Sequence, residues 1–325
     1  MLVARAPLRV SFLGGGSDLP EWYDREHGAV LSAAIDRYIY VVVHPSFERR
    51  LLRVAYTEVE VVERRDFLKH DLARACLQHV GIETGLEINS VADIPTAGSG
   101  LGGSSAYVCA LMRAFLAHKA EAVPPHVLAN CAYHIERDNA GAVIGRQDAL
   151  ASAYGGVNLF QFCPGEPPKA MPIGHEKFFR DRILLVWTGV VRKAADILEP
   201  QAAKTKAGLN ARHLRRMTFL ALQGADAIRQ GDFAGFAGMV AESWELKKHL
   251  AGGISIPIAN DIIEQGKAAG ALAGKLLGAG GGGFVLLLGE PDAIENIIER
   301  LRVPRVLMPG IDREGAKVVY DSRAT

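Results

Sequence analysis

Long apolar runs are missing from this sequence of 325 residues. None approaches the ~18 residues of a membrane-spanning helix, and compact runs such as Phe284–Leu288 are strand-sized. Net charge is nearly absent too: 37 Lys and Arg stand against 36 Asp and Glu, leaving +1. That balance gives no general pull toward nucleic acid or an acidic membrane. Cysteine is sparse. Cys76, Cys109, Cys131 and Cys163 form no C-x-x-C pair, which argues against a disulfide framework or a structural zinc and for reduced core thiols in a cytoplasmic protein. The opening residues, MLVARAPLRVSFLGGG, lack the continuous apolar core and cleavage pattern of a secretory signal. No fixed-period repeat is present. Also absent are the G-x-x-x-x-G-K-[ST] and H-E-x-x-H patterns, so a bound nucleotide would not rest on a lysine-bearing P-loop.

What is there is a folded chain: 49% apolar and 22% charged residues are ordinary for a globular protein. Its length predicts about two domains. Strands are predicted at Leu8–Leu13, in Ala29–His44, over Arg53–Val62 and at Leu86–Asn89. Helices are predicted at Ser104–Lys119, with Val108, Leu111, Met112, Phe115 and Leu116 along one face, and after Pro124-Pro125. A strand at Ile183–Trp187 opens the second half. Helices follow over about 210–230, 233–250 and 259–269, then a strand at 284–288, a helix at 293–302 and a strand at 317–320. Four of the 15 prolines crowd into Pro164–Gly174, the best candidate boundary. It divides the chain into 1–172 and 173–325. Strands and helices mix without βαβ alternation, which predicts an α+β fold.

Glycine is in excess, 35 of 325, about 11% against a usual ~7%. It gathers at Gly14–Gly16, Gly98–Gly103 and Gly278–Gly283. Glycine lets backbone approach a ligand closely, and successive N–H groups leading into a helix make an anion cradle. The middle cluster, Pro95–Ala106, runs directly into a helix, with Ser104 and Ser105 at its mouth. Either serine suits an N-cap or a metal or phosphate ligand; a flexible capped loop is the plainer reading. Two segments fit G-x-G-x-x-G, Gly98–Gly103 and Gly278–Gly283. Neither sits in a clear βαβ unit, which makes a dinucleotide-dependent oxidoreductase improbable.

Taken together, the three clusters resemble the three motifs of the GHMP kinases, in that family's order and over nearly the whole chain. Motif one resembles Ala6–Asp18, motif two Pro95–Ala106 and motif three Lys275–Phe284. The Gly14-Gly15-Gly16-Ser17-Asp18 variant is similar to the D-glycero-D-manno-heptose 7-phosphate kinases and the kinase part of fucokinase. Segments 145–149, 154–158, 188–194 and 243–248 resemble the heptose kinases as well. In motif two, Thr96-Ala97 makes the run from Pro95 to Gly100 about one residue longer than the family's usual pattern.

The resemblance implies a two-domain α+β fold, an N-terminal domain like ribosomal protein S5 domain 2 and a ferredoxin-like C-terminal one, with ATP and Mg²⁺ as cofactors. It implies that Gly98, Ser99, Gly100, Leu101, Gly102, Gly103, Ser104 and Ser105 cradle the ATP phosphates. Ser104, with Ser105 as the alternative, and Glu136 would hold the metal, hard oxygens suiting Mg²⁺. Glu136 alone reads as a surface glutamate paired with an arginine. Asp148 matches the catalytic aspartate and Arg9 the basic residue beside it; on their own they read as a helix N-cap and a strand-edge arginine. Gly15, Gly16, Ser17 and Asp18 match substrate contacts, Asp18 otherwise being a turn residue. Gly280 and Gly281 fall in a loop over the site, or else in a tight turn before a buried strand. Arg192 and Lys193 suit a sugar phosphate, or a solvated helix start.

The expected activity is ATP-dependent phosphorylation of the anomeric hydroxyl of D-glycero-D-manno-heptose 7-phosphate. The expected partners are thus a sugar phosphate and ATP, with neither nucleic acid nor membrane; oligomeric state is left open. A kinase for fucose or another free sugar, and a catalytically silent sugar sensor on the same fold, are the alternatives.

Overall fold

The computed structural model describes residues 1–301 and 305–323. Two sheets organise them, nearly all pairs antiparallel, as the α+β reading requires. The first holds β1 (Leu2–Leu13), β2 (Gly28–Pro45), β3 (Leu52–Ala55), β4 (Val59–Val62), β5 (Leu86–Ala92), β6 (Val157–Phe162), β7 (Lys169–Pro172) and, from the far end of the chain, β12 (Lys317–Asp321). The second holds β8 (Ile183–Trp187), β9 (Ala273–Leu276), β10 (Phe284–Leu288) and β11 (Val306–Leu307), in the order β11-β8-β10-β9. Only β3 and β5 run parallel among the described pairs.

Helices α1 (Pro20–Tyr23), α2 (Asp71–His79), α3 (Gly103–His118), α4 (Pro125–His134) and α5 (Gln147–Tyr154) belong to the first half of the chain. Helices α6 (Ala195–Lys206), α7 (Ala211–Gln230), α8 (Phe233–Lys248), α9 (Pro257–Ala268) and α10 (Pro291–Leu301) belong to the second. No described helix is long and apolar enough to cross a membrane.

The spacing in α3 predicts one apolar face, but the helix is buried on nearly every side. It lies between β1 and β2 on one hand and α2, α4 and α5 on the other, so small residues such as Ala106, Ala110 and Ala114 are as enclosed as Phe115. The proline-rich stretch is not a loose linker. Lys169–Pro172 pairs with β6 as an edge strand, where proline costs no interior ladder bond. The chain also crosses between halves: β12 pairs with β1, and α7 packs on β1 and β2.

β1 carries the feature that aims the site. Its pairing with β2 slips between Pro7 and Arg9 and again between Ser11 and Leu13. Such irregularities bend a strand and redirect side chains. At the first, the Arg9 N–H donates to Leu101 O at 3.0 Å, tying the sheet to the middle glycine loop.

Candidate active site

Arg9 is 3% exposed, an expensive place for a cation without partners. Its partners are all present. Nε donates to Asp148 Oδ1 at 2.7 Å, Nη2 to Asp148 Oδ2 at 2.8 Å, and Nη1 to Gly100 O at 2.6 Å. Asp148 lies in the first turn of α5, whose N-cap is Arg146, so it is not the helix cap. Its carboxylate faces a cavity of about 790 Å³.

The middle glycine loop forms one wall of that cavity. Gly102, at φ +75°, is the N-cap of α3 and no side chain caps the helix. Ser104 and Ser105 therefore sit inside the first turn instead of capping it, and the turn's free N–H groups are open to an anion. A Cβ on Gly102 would lie 3.1 Å from Arg9 Cγ and 3.4 Å from Asp148 Cγ; glycine admits the ion pair. Gly98, Ser99, Gly100, Gly102, Gly103 and Ser104 line the cavity. Leu101 and Ser105 do not. Leu101 is fully buried in the core, and Ser105 turns its hydroxyl inward to donate to Glu136 Oε1 at 2.5 Å.

Glu136 is 1% exposed, so it is no surface glutamate. It stands where α4 runs on into a π-helical turn, Ile135–Asn139, closed by Ala140 N–H to Ile135 O at 3.0 Å; such turns recur at functional sites. Burial lifts its carboxyl to about 7, opposed by the hydroxyls of Ser105 and Ser104. No three His, Cys, Asp or Glu side chains converge on a metal position among the described residues. A buried carboxyl beside two hydroxyls, with no cation of the chain paired to it among the described ion pairs, nonetheless fits a small hard cation completed by ligand oxygens.

Asp18 lines the same cavity and is tied to Gln147, the neighbour of Asp148. It accepts from Gly16 N–H at 2.9 Å and from Gln147 Nε2 and N–H, each at 3.2 Å. Burial, first of all, raises its pKa, with the Asp148 charge adding to it. A Cβ on Gly145 would fall 1.9 Å from Asp18 Oδ2, so only glycine allows this arrangement. Gly15 and Gly16 line the cavity with it. Ser17 does not, and its expected substrate contact is corrected here. It is fully buried, its hydroxyl donating to Gly14 O and Ala29 O and accepting from Ala29 N–H, which shapes the turn.

Motif three is corrected in part. Gly278 and Ala279 reach the cavity, whereas Gly280 and Gly281 do not. Gly281 N–H donates to Ile254 O at 2.9 Å, and a Cβ there would lie 2.8 Å from Arg192 Cδ. Gly281 thus backs Arg192, and Gly280 packs on Ile254. Arg192 and Lys193 both line the cavity, and Arg192 Nε lies 3.5 Å from Asp196 Oδ2. Motifs two and three touch directly: Phe284 N–H donates to Ser99 O at 3.0 Å, and a Cβ on Gly278 would sit 2.5 Å from Gly100 Cα.

Sequence reasoning left Lys247 and the aromatic end of the cavity without a role. Lys247 is buried, lines the cavity and donates to Gly278 O. Burial, then Arg9, lowers its pKa to about 8. A signal was available, since Lys247 continues the buried face of Phe236, Val240, Ser243 and Trp244 on α8, where a lysine is out of place. At the far end stand Tyr56, His70 and Tyr107; the His70 ring lies 4.6 Å from Tyr56 and 5.1 Å from Tyr107. They come from the turn after β3, the N-cap of α2 and the body of α3, so no local pattern announces them. The four cysteines are free thiols; Cys131 and Cys163 are half-buried and not core residues.

The models of the GHMP kinases N terminal domain and the GHMP kinases C terminal match residues 67–156 and 225–303. The D-glycero-alpha-D-manno-heptose 7-phosphate kinase of Campylobacter jejuni is 29% identical over 315 residues, covering 92% of either chain. The L-fucokinase/L-fucose-1-P guanylyltransferase of Bacteroides fragilis is 27% identical over 337 residues, covering 90% of this chain but 35% of that longer protein. A crystal structure of a D-glycero-D-manno-heptose 1-phosphate kinase from Bacteroides thetaiotaomicron superposes with a TM-score of 0.79 at 23% identity, over 99% of this chain and 100% of that one. The paired domain models, the full-length relative and the shared fold agree: the chain belongs to the GHMP kinases and is a sugar kinase of that family.

Proposed function

We propose that this kinase transfers the γ-phosphoryl group of ATP to the anomeric hydroxyl of D-glycero-D-manno-heptose 7-phosphate, giving the 1,7-bisphosphate. The observation that carries the reading is one cavity holding both the Arg9–Asp148 pair and the separate cations Arg192 and Lys193. An acceptor with a phosphate of its own needs that second positive wall. The full-length heptose 7-phosphate kinase relative supports the same substrate class.

In this reading Asp148 accepts the proton of the acceptor hydroxyl. The hydroxyl oxygen bonds to the γ-phosphorus as the bond to the β–γ bridging oxygen breaks, and ADP leaves with the electron pair. Arg9 holds the Asp148 carboxylate by two bonds, which fixes its direction. The first-turn amides of α3 and the Gly98–Gly103 backbone bind the phosphates. Asp18, positioned by Gln147 and Gly145, takes a sugar hydroxyl on its remaining Oδ2 capacity. Ile39, Val91 and the Tyr56, His70 and Tyr107 wall enclose the base. Ser104 and Glu136 would hold Mg²⁺, which supplies charge neutralisation on the phosphates. The reading includes a cytoplasmic location, where ATP and sugar phosphates are at hand.

The test is ATP consumption with Mg²⁺ against heptose 7-phosphate, sedoheptulose 7-phosphate, mannose, fucose, galactose and mevalonate. Turnover with heptose 7-phosphate alone supports the proposal. The fucokinase relatives favour one second reading, a kinase for a free sugar; turnover with fucose alone would establish it and remove the phosphate role of Arg192 and Lys193. ATP binding with no turnover on the panel overturns the heptose assignment and leaves a substrate outside the panel or the silent sensor.

A further inference from the structure

Lys247 is a cation that the assignments above leave unused. Its ammonium carries three N–H donors. One is directed to Gly278 O. No described ion pair includes it, although two carboxylates lie nearby, because both are already committed. Asp148 is held by Arg9 on both oxygens, and Asp18 accepts from Gly16 and twice from Gln147. Arg9, for its part, spends a donor from each of its three nitrogens on Asp148 and Gly100. Lys247 is thus the enclosed cation at the catalytic pair with donors to spare. An unpaired buried charge is costly, and the cost is met when an anion enters the cavity.

Position decides which anion. Lys247 reaches the cavity through Gly278, and Gly278 packs on Gly100 of the phosphate loop. Arg192 and Lys193 belong to the segment that follows β8 and line the cavity separately. Through Gly278 the spare donors of Lys247 stand beside the phosphate loop, in the same cavity as Arg9, Asp18 and Asp148, whose charges all act on it.

We propose that Lys247 is a further catalytic residue of this kinase, binding the phosphoryl group in transit by the two N–H donors that Gly278 leaves free. The proposal rests on the kinase reading and on the Arg9–Asp148 pair as the place of transfer. A charge contact made only as the phosphoryl group moves lowers kcat when lost, and leaves KM little changed.

The test compares wild type, Lys247→Met and Lys247→Arg. Lys247→Met keeps the length of the side chain and removes its charge. Its kcat on the sugar that wild type turns over should fall by about 10²–10³, with both KM values within about threefold. Lys247→Arg should recover at least a tenth of wild-type kcat. A second arm needs no sugar at all: ADP·Mg²⁺ affinity, with and without aluminium fluoride as a mimic of the moving group, followed by calorimetry. Lys247→Met should bind ADP as wild type does and lose the gain that fluoride brings. A wild type that phosphorylates nothing defeats the kinase reading, while the fluoride arm still judges Lys247. An unchanged fluoride gain in Lys247→Met overturns the proposal. So does a higher KM for a phosphorylated sugar at constant kcat, which would assign Lys247 to the substrate's own phosphate. Should Lys247→Met fail to fold, the arginine variant decides: folded, with normal ADP affinity but neither turnover nor fluoride gain, it reduces Lys247 to a prop for Gly278.

Discussion

Arg9 and Asp148, 139 residues apart in the chain, are joined by two hydrogen bonds of 2.7 and 2.8 Å. The pair closes β1 against the first turn of α5. Since neither oxygen of Asp148 needs a further protein partner, its unbonded lone pairs face the cavity, ready for a substrate hydroxyl.

Replacing Asp148 by Asn keeps the shape and removes the proton acceptor. We expect kcat to fall by about 10²–10⁴ while ATP affinity stays within a few-fold. Steady-state kinetics with nucleotide titration checks this. A kcat near that of wild type would remove Asp148 from the proton-accepting role.

Arg9→Met strands a carboxylate. Breaking a buried pair costs about 3–5 kcal/mol, and the 27% exposure of the Asp148 side chain sets the expectation at the lower end of that range. Adding Asp148→Asn to Arg9→Met should return part of the loss, because the orphaned charge is gone. Urea denaturation of the four proteins in the cycle measures it; strictly additive losses would show that the pair is not coupled.

Glu136 supplies a pH dependence of known sign. Its folded pKa, about 7, lies above the ordinary carboxyl value of 4.5. Between those values the folded state holds the proton more tightly than the unfolded one, so stability falls as pH rises through this window and stays low above it. Glu136→Gln removes the loss. Without Mg²⁺, the variant should melt higher than wild type at pH 8 and equally near pH 4, and it should need more Mg²⁺ for half-maximal activity. Melting curves with parallel magnesium titrations test both parts; a variant that melts lower at pH 8, with an unchanged magnesium requirement, contradicts them.

Lys247 works on the alkaline side. Its pKa of about 8 is set first by burial and then by Arg9 from β1, both lowering it, with Asp18 from the turn that follows and Asp148 from α5 raising it; Lys275 from β9 is also near. If the charged form acts, kcat/KM declines as pH rises through about 8, since that ratio reports the free enzyme. Lys247→Arg should move the decline to higher pH. A pH profile of the arginine variant that superposes on wild type assigns the limb to another group.

The two glycine loops offer a steric test. Gly278, at φ +67°, has no room for a Cβ, whereas Gly141, at φ +72°, has nothing within 4 Å. Alanine at either site meets the left-handed backbone cost of about 1–2 kcal/mol. At Gly278 it also collides with Gly100 Cα, adding about 1–3 kcal/mol and spreading the phosphate loop. Gly278→Ala should raise the KM for ATP at least tenfold, and Gly141→Ala should leave it alone; equal effects would show that the loops are not in register.

Much of this protein was legible in the residue order. The strands at 8–13, 183–187 and 284–288, the helix after Gly103 and the three glycine clusters are local patterns, set by apolar periodicity and by glycine's freedom of φ. They were enough for the α+β fold; the kinase assignment and the choice of Arg9, Glu136 and Asp148 came from the family resemblance that the three glycine clusters carry together. Packing decided what each side chain faces. Ser17 and Gly281 belong to the right motifs yet turn away from the cavity, because a turn directs neighbouring residues to opposite sides. Ser104 and Ser105 are adjacent and both hydroxyls reach Glu136, but only Ser104 also lines the cavity, since successive helix positions differ by about 100°. Lys247 is 238 residues from Arg9 in the chain, and only the meeting of α8, β1 and the Gly278 loop makes it a neighbour of the Arg9–Asp148 pair. Sequence determined the elements and their chemistry through interactions of short range; the juxtaposition of charges drawn from residues 9, 18, 148 and 247 was decided by long-range packing, which no local pattern encodes.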